Sequence, residues 1–374
     1  MADTLIIFVD SLRHDQAAAM DFLGQLPTLH PVRPGFGYSV NIHAELFAGL
    51  HPDDVGYFCE WMVNPSAAPG RRYRPLLPLL DTIFRPYVLN RGLQRLLTRG
   101  YRPDHVMPNI PLRDLDKFAV AGEHILSPRF PQPTLFSEHP GLHVLSYRGI
   151  APKGSRDEAI ARRALAALAE HRQLFVPLPD LDGLGHSHGV DRPEHNAHLA
   201  RLDGWVAELA QEFRRRYPAG HLFVVSDHGM ANVRGGVRLD IEARCGQPGL
   251  RRYLTFSDAT LLRGWIYDET LRQPLADVLH SLPHGQVLTD EERQHYGLTN
   301  PDFGDVILVL EEGYCFQPST FARHIPKGMH GYHPELPSQW GIFAHDGPPL
   351  GGPPPQDMVQ VYPLLQAALE GELP

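Results

Sequence analysis

The hydrophobic pattern of this chain predicts a series of short buried strands, each with polar residues at its end. The first is Thr4–Val9, a run of apolar and β-branched residues that leads directly into Asp10. Similar runs at 174–178, His221–Val225 and 341–344 predict three more strands, because short apolar runs between turn signals are typical of strands covered on both faces. Open α/β sheets carry their chemistry at the carboxyl ends of strands, so the segments around these ends are candidates for a site.

Helix patterns separate the strands. Ser155-Arg-Asp-Glu158 forms a capping box ahead of a run of apolar residues at helical spacing, which is a typical helix start. A second helix is predicted by apolar residues three and four positions apart, which are Leu199, Leu202, Val206, Leu209 and Phe213. The alternation of helix and strand predicts an α/β fold with a central, mostly parallel sheet and helices on both faces.

Two stretches interrupt this alternation. Residues 55–150 are rich in proline, arginine and leucine, and residues 235–320 form a second interruption with a predicted strand at Val306–Leu310. We expect these stretches either to cap the site or to pack at its periphery. Since no repeat, low-complexity tract or linker separates them from the rest, the sequence predicts that residues 1–374 form a single domain with two insertions.

Composition narrows the possible partners. The formal charge of −9 predicts neither a nucleic-acid polymer nor a membrane surface as partner, because proteins that bind them carry net basic patches. The apolar run at residues 5–9 is too short for a signal peptide or a membrane span, so we expect no transmembrane segment and a cytoplasmic location. The three cysteines, Cys59, Cys245 and Cys315, lie far apart and indicate neither a disulfide framework nor a thiolate zinc site.

Short motifs at the predicted strand ends combine aspartate with histidine. The strongest is Asp182-Gly-Leu-Gly-His186, in which glycines allow a loop to fold closely around an ion that takes one oxygen and one nitrogen ligand. The other candidate ligands, at the ends of the remaining strands, are Asp10, Asp227, His228 and His330. Any one of these residues is equally typical of a structural hydrogen bond, but the set together predicts a metal site.

These motifs, in this order, resemble the alkaline phosphatase superfamily, and in particular its type I phosphodiesterase and nucleotide pyrophosphatase branch. The resemblance extends from Asp10 to Gly347, where the segment GIFAHDGP is similar to the strand and loop that follow the last histidine of that branch. It implies an alkaline phosphatase-like catalytic domain. The two insertions have no counterpart in the resemblance.

The resemblance also implies a nucleophile. In that branch a threonine or serine lies ten residues before the first glycine of a T-G-L-x-P-x-x-x-G segment, and the position ten residues before Gly49 is Ser39. His43 falls where the nucleophile motif of the branch has its histidine. The sequence departs from the pattern at three places. The nucleophile is serine rather than the commoner threonine, Asn41-Ile42 stands where the branch usually has Pro-Asn, and Ala48 replaces the threonine before Gly49.

Two divalent cations are implied as cofactors. One would be held by Asp182, His186 and His330, and the other by a second set next to Ser39, namely Asp10, Asp227 and His228. Carboxylates and imidazoles together suit zinc, with manganese or iron as alternatives. The implied reaction is hydrolysis of a small-molecule phosphate ester through a covalent Ser39 intermediate. We expect phosphodiesterase or nucleotide pyrophosphatase activity, with phosphomonoesterase and phosphonate hydrolase activity as alternatives.

The sequence also allows two other interpretations, an α/β serine hydrolase and a non-enzymatic binding protein. Gly37-Tyr-Ser39 resembles half of the nucleophile elbow of an α/β serine hydrolase, but the final glycine of that motif is absent. A non-enzymatic binding protein of the same fold would be expected to have lost a metal ligand, whereas all six positions are filled. The aromatic residues Tyr57, Phe58 and Trp61 are expected either in the core or in the lining of a substrate pocket.

Overall fold

The computed structural model describes residues 3–102, 108–146, 155–320 and 324–373. The chain forms two compact units: Met1–His51, His124–Val233 and Pro326–Pro374 make the first, and Pro52–Glu123 and Arg234–Ile325 make the second. Most of both predicted insertions therefore belongs to one unit, while 124–146 belongs to the other and 147–150 lies outside the described residues. The capping role of the insertions stays a prediction.

Strands and helices alternate along the described chain. The strands are β1 Thr4–Val9, β2 Thr28–Val32, β3 Trp61–Val63, β4 Phe118–Val120, β5 His143–Val144, β6 Gln173–Leu178, β7 His221–Val225, β8 Ala231–Asn232, β9 Gly235–Val237, β10 Tyr253–Ser257, β11 Leu261–Ile266, β12 Gly285–Val287, β13 Val306–Leu310, β14 Tyr314–Phe316, β15 Gly328–Met329 and β16 Gly341–Asp346. The helices are α1 His14–Ala18, α2 Ser39–Ala48, α3 Pro52–Val55, α4 Leu77–Ile83, α5 Tyr87–Leu97, α6 Leu135–Glu138, α7 Arg156–Ala167, α8 Asp180–His188, α9 Pro193–Arg216, α10 Glu242–Cys245, α11 Arg272–His280, α12 Asp290–His295 and α13 Val361–Glu370. Short 3-10 turns lie at Leu23–Gln25, Arg71–Tyr73, Leu112–Asp114, Glu269–Leu271, Pro301–Phe303, Pro337–Gln339 and Met358–Gln360.

The first unit is built on a six-stranded sheet in the order β2-β16-β7-β1-β6-β5. Strand β1 pairs in parallel with both β6 and β7, so Thr4 lies opposite Gln173 on one side and His221 on the other. Strand β16 is antiparallel to its two neighbours, β7 and β2. The mostly parallel sheet is confirmed with this one reversal, which the pattern of apolar residues does not encode.

Helices cover both faces of this sheet, as the alternation of elements predicts. On one face α7 and α9 bury Ile160, Val206 and Phe213 against the strands. On the other face α2 and α13 bury Leu46 and Leu365. The predicted cap of α7 is also present, since the Ser155 hydroxyl accepts a hydrogen bond from the Glu158 amide at 3.3 Å.

The second unit contains an antiparallel sheet in the order β10-β11-β13-β12. Its core holds a buried arginine, Arg263, whose guanidinium donates to the carbonyls of Phe58 and Trp61 at 2.9 and 2.6 Å. Tyr57, Phe58 and Trp61 are themselves buried, as expected for core residues. Among the described residues, no helix of either unit combines the length and the apolar character needed to cross a membrane.

Candidate metal centre

All seven predicted site residues belong to the first unit, and five of them lie at or just beyond the ends of its elements. Asp10 follows β1, Asp227 and His228 follow β7, and His330 follows β15. Ser39 is the first residue of α2. The chain crosses the sheet several times between these positions, so the strand ends bring together residues that are far apart in sequence.

The motif at 182–189 is a helix, and the prediction of a loop was wrong. Asp182 and His186 lie one turn apart in α8, a separation that puts two side chains on the same helix face. Gly185 allows the helix to approach its neighbours, because a Cβ atom there would lie 2.3 Å from the Met230 sulfur. A Cβ atom on Gly328 would lie 2.6 Å from the Gly185 carbonyl oxygen. The glycines therefore serve close packing of this helix rather than a loop around an ion.

A buried network fixes the start of α8. His198 of α9 lies with its Nε2 atom 2.8 Å from Asp157 Oδ2, and Asp157 Oδ1 accepts a hydrogen bond from the Asp180 amide at 3.1 Å. The Asp180 carboxylate in turn accepts from the Ser155 hydroxyl at 2.8 Å. The network joins α7, α8 and α9 and so holds the helix that carries Asp182 and His186.

One candidate ligand group consists of Asp182, His186 and His330, each with a ligand atom within 4.8 Å of the others. Asp182 Oδ1 lies 3.2 Å from His186 Nε2 and 3.7 Å from His330 Nε2. Tetrahedral zinc with ligands at about 2.0–2.2 Å requires ligand atoms roughly 3.3–3.6 Å apart. The group therefore has the spacing of a zinc site, and its membership is the one that the resemblance implies.

A second candidate group consists of Asp10, Asp182 and His228, again within 4.8 Å. His228 Nε2 lies 3.7 Å from Asp10 Oδ1 and 3.3 Å from Asp227 Oδ2. Asp227, which the resemblance places in this set, is thus adjacent to the group. Its Oδ2 atom also lies 3.1 Å from His43 Nε2.

Ser39 lies beside the second group. Its Oγ atom is 3.1 Å from His228 Nε2, and its place at the start of the ten-residue helix α2 puts it at the positive end of the helix dipole. A hydroxyl in this position faces the candidate ligands and meets an environment that favours a bound anion.

The donor atoms fit divalent cations. Asp10 Oδ1 and Asp182 Oδ1 are buried carboxylate oxygens that make no hydrogen bond to the described residues, and such atoms are costly unless a cation or donor satisfies them. The Nδ1 atoms of His186 and His228 lie 3.0 and 2.9 Å from the carbonyls of Gly328 and Gly229. Because a carbonyl only accepts, Nδ1 carries a proton in each ring, and Nε2 is the nitrogen that lies toward the carboxylates, as in metal-binding histidines.

Without cations, the crowding of these carboxylates and imidazoles shifts their pKa values. Burial and the nearby carboxylates of Asp227 and Asp182 raise the pKa of Asp10 well above its usual range. Burial and the neighbouring rings of His228 and His186 lower the pKa of His330 well below its usual range. Against the effect of burial, the contact with Asp182 raises the pKa of His186. A crowded cluster of carboxylates is favoured by added positive charge, which is what a divalent cation supplies.

Sequence reasoning missed part of the arrangement. Asp182 belongs to both candidate groups, and no feature of its motif signals two roles. Ser226 was also missed: its hydroxyl accepts from the Leu12 amide at 2.8 Å and donates to the His228 carbonyl at 3.1 Å. This serine connects the segment after β1 to the segment after β7 by hydrogen bonds. Its position next to Asp227 was the sequence signal that could have identified it.

The serine hydrolase reading does not fit the geometry. In a catalytic triad the base donates its Nδ1 proton to a carboxylate, whereas Nδ1 of His228 contacts the Gly229 carbonyl. The carboxylates of Asp10 and Asp227 instead face the same Nε2 atom that faces Ser39. Carboxylates and a hydroxyl converging on one ring nitrogen are typical of a metal centre.

Comparison with known families now decides the assignment. Residues 147–333, half of the chain, match the family described as type I phosphodiesterase / nucleotide pyrophosphatase. The chain belongs to this family. The matched residues contain the ligand group Asp182, His186 and His330, and the family identifies the protein as a phosphoric ester hydrolase. A comparison with curated proteins found no match.

Solved structures confirm the fold. Human ectonucleotide pyrophosphatase/phosphodiesterase 5 is 15% identical with a TM-score of 0.63, and the alignment covers 98% of this chain and 95% of the human chain. The murine protein of the same name is 16% identical with a TM-score of 0.62, over 98% of this chain and 95% of its own. An inactive threonine-to-alanine form of the murine protein, in complex with AMP, gives 16% identity and a TM-score of 0.62 over 99% and 95% of the two chains.

Proposed function

We propose that this family member hydrolyses small phosphodiesters or pyrophosphates of the nucleotide type, through a covalent intermediate on Ser39 and with two divalent cations. One observation carries the proposal. The Ser39 hydroxyl lies 3.1 Å from His228 Nε2, beside two ligand groups that have Asp182 in common. A nucleophile next to two adjoining cation sites is the arrangement that in-line phosphoryl transfer requires.

The residues that would hold the cations follow from the two groups. Asp182, His186 and His330 would bind one ion. Asp10, Asp227, His228 and the Ser39 hydroxyl would bind the other, with Asp182 within reach of both. Mixed oxygen and nitrogen donors favour zinc over magnesium or calcium. Bound there, the cations would lower the pKa of the serine hydroxyl and neutralise charge on the phosphoryl oxygens.

The residues of the chain then divide the reaction into two displacements. Oγ of Ser39 forms a bond to phosphorus while the bond from phosphorus to the leaving oxygen breaks, and the serine proton ends, by way of solvent, on that leaving oxygen. Water then attacks phosphorus, the Oγ–P bond breaks, and the serine regains a proton. The start of α2 contributes the positive end of its dipole to the phosphoryl group in both steps. The Nδ1 atom of His228 donates its proton to the Gly229 carbonyl, so Nε2 is the nitrogen that would bind a cation.

A nucleotide-type substrate is supported by the likeness in fold. The murine relative binds AMP, and replacement of a threonine by alanine makes it inactive. A hydroxyl nucleophile and a nucleoside monophosphate product are consistent with Ser39 at the helix start. Small phosphate esters fit the family, and they are also the small-molecule partner that the sequence predicts.

The test is turnover of a substrate panel by zinc-loaded protein. Bis-p-nitrophenyl phosphate, a dinucleotide, a phosphomonoester and a phosphonate would be compared for wild type, Ser39→Ala and the matched control Ser281→Ala, an exposed serine of the second unit. We expect the two diesters to be cleaved, the control to be unaffected, and Ser39→Ala to be inactive while it retains its metal content. Near-normal turnover by Ser39→Ala would reject the nucleophile.

The covalent step has its own measurement. Rapid acid quench of the wild type during turnover, followed by peptide mass spectrometry, should find the nucleotidyl or phosphoryl group on the peptide that contains Ser39. Turnover without a modified peptide, in a protein that still needs Ser39, would reject the covalent intermediate. Cleavage of the monoester alone would assign phosphomonoesterase activity instead.

A further inference from the structure

The exposed apolar side chains of the described residues are concentrated in one segment of the second unit. Ten large hydrophobic residues are exposed, and seven of them lie between positions 76 and 96. Val88 is 75% exposed, Leu96 is 64% exposed and Leu79 is 58% exposed. Single exposed apolar residues are normal on protein surfaces, but a cluster of this kind marks an interaction site.

The two helices of this segment carry buried and exposed apolar side chains on adjoining stripes. In the region of α4, Leu77, Leu80 and Phe84 pack against the core of the second unit. An equally spaced outer stripe consists of Leu76, Leu79 and Ile83. The core contacts alone explain the inner stripe. The outer stripe is exposed.

Helix α5 repeats the arrangement. Leu93 and Leu97 pack against the core, and Val88, Leu89 and Leu96 are exposed. We call the exposed set the 76–99 surface, defined by Leu76, Leu79, Ile83, Val88, Leu89 and Leu96 together with Arg85, Arg95 and Arg99.

The charge of the 76–99 surface is opposite to that of the whole protein. Arg85, Arg95 and Arg99 are exposed and make no ion pair with the described residues. The single acidic residue in this segment, Asp81, accepts a hydrogen bond from the Leu112 amide at 2.9 Å and lies 3.8 Å from Arg113, so it does not neutralise these arginines. The surface is therefore basic on a chain whose formal charge is −9.

We propose that the 76–99 surface docks the protein onto an anionic phospholipid membrane. Short amphipathic helices that combine aliphatic residues with arginine lie in the plane of the membrane, where the apolar side chains enter the acyl boundary. The guanidinium groups bind lipid phosphates, to which their planar fork is well matched. The proposal concerns the second unit and does not depend on the reaction assigned to the first.

The same features disfavour a second copy of the chain as the occupant. A two-fold interface places the same patch of each copy against the other, which would bring Arg85, Arg95 and Arg99 next to their own counterparts. Like charges in contact oppose association. An anionic membrane can bury the aliphatic residues and pair the arginines with lipid phosphates.

Vesicle co-sedimentation tests the proposal with the full chain. The wild type would be mixed with phosphatidylcholine vesicles with and without phosphatidylglycerol, at low and high salt. We expect binding only to the vesicles that contain phosphatidylglycerol, and weaker binding at high salt because the charges are exposed.

Neighbouring residues provide a matched pair of variants. Arg95→Gln with Leu96→Ser removes one charge and one aliphatic side chain from the 76–99 surface and should lower the partition coefficient at least about tenfold. Arg251→Gln with Leu250→Ser makes the same change at an exposed site elsewhere in the second unit and should leave binding unchanged. Val88→Ser, at the most exposed apolar residue, gives a second variant should the first fail to fold by circular dichroism.

Several outcomes would overturn the proposal. Failure of the wild type to bind phosphatidylglycerol vesicles at low salt would reject membrane docking by the 76–99 surface. Equal loss in both matched variants, or in neither, would move the contact to another part of the protein. Equal binding to neutral vesicles would remove the role of the arginines. A dimer detected by sedimentation velocity and abolished by Val88→Ser, without vesicle binding, would identify the surface as a self-association interface.

Discussion

The imidazole rings of His228 and His330 stack with their centroids 3.8 Å apart and their planes inclined by 11°. Each ring belongs to a different candidate ligand group, so the stack joins the two groups directly. Burial and the rings of His228 and His186 lower the pKa of His330, which keeps that ring neutral and lets the stack form without repulsion. The two candidate ligand groups are therefore parts of one cluster.

Metal content should respond differently to replacement of Asp182 and of Asp227. Because Asp182 belongs to both groups, Asp182→Ala should lower bound zinc by about two ions per chain, whereas Asp227→Ala should remove about one. Metal analysis of desalted protein by mass spectrometry measures both. Glu208→Ala, an exposed acid on α9, is the control and should retain the full content. Equal losses for the two aspartates would contradict the double role of Asp182.

Two glycines in α8 should behave in opposite ways when replaced by alanine. A Cβ atom on Gly185 would lie 2.3 Å from the Met230 sulfur, so Gly185→Ala should lower the free energy of unfolding by about 1–3 kcal/mol through overpacking. A Cβ atom on Gly183 meets nothing within 4 Å, and Gly183→Ala should stabilise the helix by about 0.5–1 kcal/mol. Denaturant unfolding at constant zinc compares them, and the same sign for both would show that α8 does not pack closely.

The network behind α8 should matter for stability and for zinc affinity. His198→Ala leaves the buried Asp157 carboxylate without the imidazole that lies 2.8 Å from it, which should cost about 2–3 kcal/mol. Zinc affinity should fall as well, since Asp157 holds the start of the helix that carries two ligands. The exposed His188→Ala on α8 is the control and should change stability by less than about 0.5 kcal/mol. A destabilised His198→Ala with unchanged zinc affinity would restrict the network to folding.

Acid should destabilise the protein through a pair of histidines that are not among the candidate ligands. His221 Nδ1 lies 3.1 Å from His345 Nε2, and burial together with His221 lowers the pKa of His345 from 6.5 to about 4, with Asp346 acting in the opposite direction and Arg214 in the same one. Between these values the unfolded chain binds a proton that the folded protein does not. Stability should therefore fall by about 2 kcal/mol as pH drops from 6.5 to 4.

The variant His345→Gln isolates this contribution. Its unfolding free energy should depend less steeply on pH than that of the wild type between pH 6.5 and 4, in denaturant titrations at constant zinc. His280→Gln, at an exposed position, should keep the slope of the wild type. An unchanged slope in His345→Gln would place the acid sensitivity elsewhere.

Much of the first unit could be predicted because its strands are fully buried. A continuous apolar run such as Thr4–Val9 has few alternatives to a central strand, and the observed bounds agree. The candidate ligands could be named because aspartate and histidine recur in short motifs just after predicted strands, in an order that resembles a known family. The structure brings them together as two groups, although their roles as ligands stay a prediction.

Other features depend on tertiary contacts that have no local signal. Glycine is typical of loops, so the segment 182–189 predicted a loop, and only the proximity of Met230 explains why glycine is needed within a helix. The direction of β16 is set by its pairing with β7 and β2, not by its residues. The net charge also gave no indication of the 76–99 surface, because three arginines on two helices do not change the sign of the net charge of the whole chain.

The division into two units has a consequence for synthesis on the ribosome. Both segments of the second unit, Pro52–Glu123 and Arg234–Ile325, are translated between residues of the metal centre. Asp10, Asp182, His186 and His228 emerge before the second of these segments, and His330 emerges after it. The stack of His228 on His330 therefore cannot form until the second unit has been translated in full, and assembly of the complete centre is a late event in the life of the nascent chain.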